Sequence, residues 1–322
     1  MNKIIVIGGS GYIGSVLITD LINKNYKVVN IDKSIFGDTK SLDHINSKNF
    51  CNLKEDFTNL KIINKLIDSG YSKIIFLAGL VGDPISKKYK KLSRKVMIKD
   101  TKKLINFLEK KKILNFFYVS TCSNYGLDKS NKLLNEKSIL KPLSIYATCK
   151  VKIENFLIKK KINYTILRFS TAFGMSYRMR FDLTINQFVR DIYLNKKLVI
   201  FDSDTFRPYL HTKDFSRLFL ILLKTKRKIK KEIFNVGSNK NNFSKKQILD
   251  KITKVKKSSK IFYKKHGFDR RNYRVDFSKI KKRLNFDAKY SVNFGIKEII
   301  NNLKEKKILR KKLNIFENKV IK

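Results

Sequence analysis

With 322 residues the chain is long enough to bury a full core, as one large domain or two modest ones. Its 73 Lys and Arg against 26 Asp and Glu give a net charge of +47, which admits a polyanionic partner such as nucleic acid or an anionic membrane. The basic residues are nevertheless spread along the whole sequence, in short runs such as Lys110-Lys111-Lys112 and Lys159-Lys160-Lys161. Biased composition with solvated lysines is the simpler reading, because a nucleic-acid site clusters on one element.

Cys51, Cys122 and Cys149 have no CxxC spacing, and His44, His211 and His266 are scattered, so neither a disulfide framework nor a metal site is expected. The longest apolar run, Leu218 to Leu223, is far too short to span a bilayer. No segment resembling a signal peptide precedes the first strand, and a cytoplasmic location is expected.

The first expected element is a strand, Ile4-Ile5-Val6-Ile7, followed by Gly8-Gly9-Ser10-Gly11-Tyr12-Ile13-Gly14 and an amphipathic run from Val16 to Ile22. Strand, glycine turn and helix in that order make a phosphate cradle. The first glycines allow a tight turn, the middle one lets backbone approach a pyrophosphate, and the last lets helix and strand pack closely. The next expected strand, Tyr26 to Ile31, ends on Asp32, 21 residues past Gly11. An acidic side chain there can take both ribose hydroxyls of NAD. Lys33 beside it leaves some room for a 2′-phosphate.

Lys73 to Ala78 reads as a buried strand and Ser86 to Lys112 as a long helical stretch. Asn115 to Ser120 reads as a strand, Leu143 to Lys161 as a helix and Tyr164 to Phe169 as a strand. This alternation implies a doubly wound parallel sheet, whose ligands bind at the carboxyl ends of the strands. Gly8, Asp32, Ala78 and Thr121 fall there. After Gly174 the pattern loosens into shorter elements. Residues 1–173 are therefore expected to form the dinucleotide-binding part. Residues 174–322 are expected to form a smaller, mainly substrate-binding part, some of it packing back on the first. Lys304 to Lys322 reads as a basic terminal helix or tail.

Tyr146 and Lys150 form Y-x-x-x-K on an expected helix, where i, i+4 spacing puts both on one face. A free tyrosine has a pKa of about 10, and a neighbouring ammonium favours the phenolate. Thr121, at the end of its strand, can hydrogen-bond the same substrate oxygen. Gly82-Asp83-Pro84 reads as a turn.

These residues, with Asp56 in Glu55-Asp56-Phe57-Thr58, Leu77-Ala78-Gly79-Leu80, Val119 to Gly126, Leu167-Arg168-Phe169, Arg207 to His211, Phe234 to Gly237 and Arg274 to Lys279, give the chain a resemblance over nearly its whole length. It resembles the extended short-chain dehydrogenase/reductases, specifically the NAD-dependent nucleotide-sugar epimerase/dehydratase family. The resemblance implies a Rossmann-type α/β fold and NAD held by Gly8, Gly11, Tyr12, Ile13, Gly14, Asp32, Asp56, Leu77, Ala78 and Gly79. It implies a catalytic set of Thr121, Tyr146 and Lys150, the last two also touching cofactor. Asn186 and Arg207 would hold a nucleotide diphosphate, with Arg271 a second guanidinium for that clamp. It also implies a homodimer packed through the helices at Ser86–Lys112 and Leu143–Lys161. In the family's 4,6-dehydratases Asp and Glu follow the catalytic Thr; here Cys122 and Ser123 stand there, which turns the expectation from a dehydratase to an epimerase similar to UDP-glucose 4-epimerase. A keto-sugar reductase of the same family is the alternative, and a nucleic-acid-binding relative that has kept the fold is the alternative of another class. Thr171, where many sugar epimerases have Asn, points to a sugar other than plain glucose or galactose.

Overall fold

The structure, a computed structural model, describes residues 3–37, 40–130, 132–225, 229–257, 260–267, 269–305 and 321. Most of the basic stretch from Lys304 to Lys322 lies outside the described residues. In chain order the first half runs β1 (Lys3–Ile7), α1 (Tyr12–Asn23), β2 (Lys27–Ile31), β3 (Phe50–Leu53), α2 (Leu60–Asp68) and β4 (Lys73–Phe76). It continues through α3 (Asp83–Lys88), α4 (Lys90–Arg94), a π-helical turn (Lys95–Asp100), α5 (Thr101–Glu109), β5 (Asn115–Thr121), β6 (Leu133–Leu134), α6 (Ile145–Ile158) and β7 (Tyr164–Phe169). The second half runs β8 (Thr171–Phe173), α7 (Thr184–Tyr193), β9 (Leu198–Phe201), β10 (Phe206–His211), α8 (Thr212–Lys224) and β11 (Glu232–Val236). After these come β12 (Asn242–Ser244), α9 (Lys245–Thr253), β13 (Ile261–Lys264), β14 (Arg274–Val275), α10 (Ser278–Leu284) and α11 (Val292–Lys304).

Seven strands form one parallel sheet in the order β11-β7-β5-β4-β1-β2-β3. β1 is flanked by β2 on one side and β4 on the other, so the winding reverses there and opens a crevice at the strand ends. Both faces of such a sheet are covered, which is why its strands read as continuous apolar runs. Ile4 and Val6 face one core with Leu17, Leu21, Phe117 and Phe219, while Ile5 and Ile7 face the other with Ile74, Phe116, Leu104 and Leu157. The alternation follows the two-residue repeat of a strand.

The second half divides its chain between two cores. β11 joins the large sheet beside β7, and α8 packs on α1. A third core gathers Phe173, Phe181, Ile185, Tyr209, Ile248 and Ile296 between α7, α9 and α11. Beside it lie a three-stranded sheet, β12-β10-β8, and the pairs β13-β9 and β14-β6.

Two elements depart from expectation for local reasons. The single helical stretch expected from Ser86 to Lys112 starts earlier, with Pro84 in its first turn, and breaks at Tyr89, whose φ of −113° and ψ of 57° lie outside the helical region. It then widens into the π-helical turn, where the Thr101 hydroxyl donates to the Val96 carbonyl five residues back at 2.9 Å. The helix expected from Leu143 begins at Ile145, because Ser144 caps it by accepting the Ala147 N–H at 3.2 Å.

Behind α6 lies a buried polar cluster. Glu154 and Arg168, 1% and 4% exposed, are joined through Arg168 Nη2 at 2.7 Å. Arg168 Nε gives a second bond to the same Glu154 oxygen at 3.0 Å. Ser120 on β5 also donates to Glu154, Asn124 donates to it at 2.8 Å, and Arg168 reaches the Tyr125 hydroxyl at 3.1 Å. Replacing Glu154 by Ala leaves a buried guanidinium without its counter-ion. Glu154→Ala should lower unfolding stability by about 3–5 kcal/mol, read as a fall in the urea midpoint; an unchanged midpoint would show that the pair is dispensable.

Candidate functional site

A cavity of about 1190 Å³ runs along the carboxyl ends of the sheet strands and extends to β10 and the 269–271 loop. Its cofactor end begins at the glycine turn. Gly8 has φ +86°, and a Cβ there would lie 2.6 Å from the Ala78 nitrogen, while a Cβ at Gly14 would lie 2.6 Å from the Gly9 Cα. The protein itself therefore requires glycine at both positions. Gly11 differs: a Cβ there would meet only the Gly8 carbonyl oxygen, at 3.4 Å. The space in front of it opens onto the α1 N-terminus, which has no side-chain cap. That cradle fits a phosphate received by backbone N–H groups.

Asp32 closes the same end. One of its oxygens accepts the Ser10 N–H at 2.9 Å and the other the Ser34 N–H at 2.8 Å. Each oxygen keeps a second acceptor site, which suits the two hydroxyls of a ribose. Burial pushes the Asp32 carboxyl upward, and the Ser34 and Ser10 N–H groups pull it back. Asn30, which the sequence reading missed, braces the turn by accepting the Gly9 N–H at 2.9 Å and donating to Ser10 Oγ at 3.0 Å. Asp56, Leu77, Ala78 and Gly79 line the cavity with Tyr12, Ile13 and Gly14. Burial would raise the Asp56 carboxyl, but bonds from Thr58 and Lys33 outweigh it and hold the group low.

Thr121, Tyr146 and Lys150 meet on the cavity wall, where β5 and α6 face each other. The Thr121 side chain lies near enough to the Tyr146 hydroxyl to favour its ionised form. Lys150, 2% exposed, donates to the Val119 carbonyl at 2.7 Å, and its ammonium lies 5.9 Å from the centre of the Tyr146 ring. The expectation that Lys150 lowers Tyr146 is corrected here. Burial is the largest influence on Tyr146 and pushes its phenol well up; Asp83 adds to this, against Arg180, Thr121 and Arg271. The group shifted toward neutrality is Lys150 itself, pushed down to about 8 by burial against the pull of Cys149 and Glu154.

Of the expected diphosphate residues, Asn186 is placed elsewhere. It is fully buried and does not line the cavity. Its amide donates to the Tyr12 hydroxyl and the Arg180 carbonyl, each at 2.9 Å, and its oxygen accepts the Gly174 N–H at 3.0 Å. Asn186 is thus a strut. Arg207 and Arg271 do converge, on a carboxylate not anticipated from sequence: Asp269 pairs with Arg207 at 2.9 Å and with Arg271 at 2.7 Å. Arg271 continues to Asp83 at 2.7 Å and to Ser123 Oγ at 3.1 Å. Asp83 is therefore more than a turn former. Its other oxygen is buried without a hydrogen-bond partner among the described residues.

Besides Arg207, Arg270 and Arg271, the cavity is lined by Arg178 and Arg180. Arg180 is held by Asp182 in a two-pronged pair at 3.0 and 2.5 Å. Arg178 sits over the Phe36 ring at 5.4 Å, and burial and neighbouring Arg180 push it down to about 10. The signal available for them was the Arg-Met-Arg-Phe-Asp string at 178–182, which has no periodicity to assign it to a site.

The sequence matches a known family model, the NAD dependent epimerase/dehydratase family, over residues 4–237. The chain belongs to that family. Its cofactor is NAD, and the cradle in front of Gly11 and the Asp32 acceptors fit such a dinucleotide. A UDP-glucuronate 4-epimerase of Thermodesulfobacterium geofontis is 26% identical over 329 residues, covering 98% of this chain and 100% of that protein. A dTDP-D-glucose 4,6-dehydratase of Homo sapiens is 27% identical over 250 residues, covering 74% of this chain and 69% of that protein. The crystal structure of UDP-glucuronic acid 4-epimerase from Bacillus cereus in complex with UDP-glucuronic acid and NAD superposes with a TM-score of 0.82 at 26% identity, over 94% of this chain and 99% of that one. No helix among the described residues is long and apolar enough to cross a membrane.

The displaced lysine is directly observable. The ¹³Cε signal of Lys150, assigned by comparison with Lys150→Arg, should titrate near 8 rather than near 10.5; a midpoint at the ordinary value would mean that the ammonium is solvated.

Proposed function

We propose that the protein is an NAD-dependent nucleotide-sugar epimerase that transiently oxidises a sugar hydroxyl. The observation that supports this most is the Thr121, Tyr146 and Lys150 set at the centre of a cavity that begins at a dinucleotide turn. In this reading Tyr146 accepts the proton of the sugar hydroxyl and Thr121 holds that oxygen in line. NAD, when bound, supplies the hydride acceptor. Burial raises the proton affinity of Tyr146, so the ligand-free phenol is neutral at pH 7. It acts as base from its phenolate, which the raised affinity makes the stronger base, and it returns the proton to the ketone oxygen in the reverse step. Lys150, protonated below about 8, places a positive charge behind the ring during that exchange.

Epimerisation is favoured over water loss by what stands after Thr121. The Cys122 thiol is buried, donates to the Arg168 carbonyl at 3.1 Å and is pushed well up by burial. Ser123 is turned to Arg271 and Tyr273. Neither offers a carboxyl for elimination, and the carboxylate of Asp83 is tied to Arg271. The relatives with UDP-glucuronic acid and UDP-glucose make UDP-sugars the first substrates to test. The dimer expected through α3–α5 and α6 belongs to this reading, since those helices pack side by side and leave Ile158 exposed.

An NMR time course with NAD and a panel of UDP-, dTDP-, GDP- and CDP-sugars should show a new sugar signal without net NADH; no change with any of them would reject the epimerase reading. Tyr146→Phe should reduce turnover by roughly 10²–10⁴-fold while NAD affinity, measured by calorimetry, stays close to that of the parent protein. Equal turnover would remove Tyr146 from the chemistry.

A further inference from the structure

The far end of the cavity contains a charge mismatch. Arg207, Asp269, Arg271 and Asp83 form an alternating chain of positive and negative groups, linked at 2.9, 2.7 and 2.7 Å. Two carboxylates thereby cancel two guanidiniums. A pair of arginines offered to a diphosphate would bring geometry and donors, but no surplus charge to offset two phosphates in a partly buried site.

Of the two cations that line this end with no ion pair among the described residues, Arg270 is exposed and Lys245 is half-buried, so Lys245 is the one placed to hold its charge inside the cavity. It is the first residue of α9, lines the cavity beside Arg207 and Asp269, and is half-buried. Its ammonium donates to the Phe201 carbonyl at 2.7 Å, and no ion pair engages it among the described residues. The nearby carboxylate of Asp202 is committed to the His266 and Gly267 N–H groups at 2.9 and 2.8 Å. Burial, and then the proximity of Arg207, lower the proton affinity of Lys245. A lysine in the first turn of a helix also opposes the helix dipole. An anion between Arg207 and Lys245 relieves all three penalties at once.

We propose that Lys245, acting with Arg207, is the residue that neutralises the diphosphate of the bound nucleotide, while Arg271, fixed between Asp269, Asp83 and Ser123, faces the reacting end. The inference rests on the nucleotide-sugar reading above and adds a residue to it. Its ligand class is a nucleoside diphosphate, with or without the sugar.

The test is calorimetric titration of the NAD-loaded full chain with UDP, dTDP, GDP, CDP and ADP, in the parent, Lys245→Gln and Lys245→Arg. The diphosphate bound best by the parent should bind about tenfold more weakly to Lys245→Gln, with a shallower dependence on salt, and nearly normally to Lys245→Arg. With the matching sugar nucleotide, KM should rise while kcat is kept, because the contact is equal in ground and transition states. An unchanged melting temperature separates this from a folding defect. If the parent binds a diphosphate and Lys245→Gln binds it equally well, the assignment of Lys245 is overturned alone. If the parent binds none of the five, the nucleotide-sugar reading falls and takes the assignment with it.

Discussion

The placing of Thr121, Tyr146 and Lys150 against one another depends on one buried ion pair. Glu154 lies four residues after Lys150 on α6, so the two share a helix face, and Arg168 reaches Glu154 from β7. Ser120, next to Thr121 on β5, donates to the same carboxylate. A single anion thereby fixes α6 against two strands, and the side chains these elements carry are Tyr146, Lys150 and Thr121. An apolar contact at this place would allow the helix to slide or rotate by small amounts at little cost. A charge in a dry interior tolerates neither, because each displacement removes a donor that water cannot replace.

Electrostatics in the cavity are arranged by position. At the cofactor end the acceptors of Asp32 and the uncapped helix terminus line the same cavity, an arrangement that suits a ligand with both hydroxyls and phosphates. At the middle, burial keeps Tyr146 neutral and brings Lys150 toward neutrality. Arg180 and Arg271 frame that middle with their charges already matched by Asp182, Asp269 and Asp83.

What sequence could reveal follows the range of the interaction. The strand, glycine turn and helix at residues 3–23 are local, and Gly8, Gly9 and Gly14 each have a steric reason in the turn itself or in neighbouring segments of the sheet. Strands β1, β4, β5 and β7 were readable because burial on both faces makes them apolar throughout. β3, with Cys51 and Asn52 exposed at the sheet edge, has no such signature and was not anticipated. Tyr146 and Lys150 were legible because their spacing is helical. Asn186 was misplaced because a buried amide that links three backbone segments looks, in sequence, like one that binds a ligand. Asp269, Asp83 and Lys245 were opaque for the opposite reason: they are distant in sequence and acquire meaning only when the 269–271 loop folds over the loop that follows β4.

The strut formed by Asn186 also has a mechanical meaning. Tyr12, in the first turn of α1, is fastened through its hydroxyl to the Gly174 carbonyl at 2.6 Å and to Asn186 at 2.9 Å. Ser176 adds a bond to the Tyr12 carbonyl at 2.6 Å. The phosphate cradle and the start of the second half of the chain are therefore pinned together at one point. Gly11, whose open front faces the α1 N-terminus, lies next to Tyr12 in sequence, so a residue from the far half of the chain sets the position of the cradle wall.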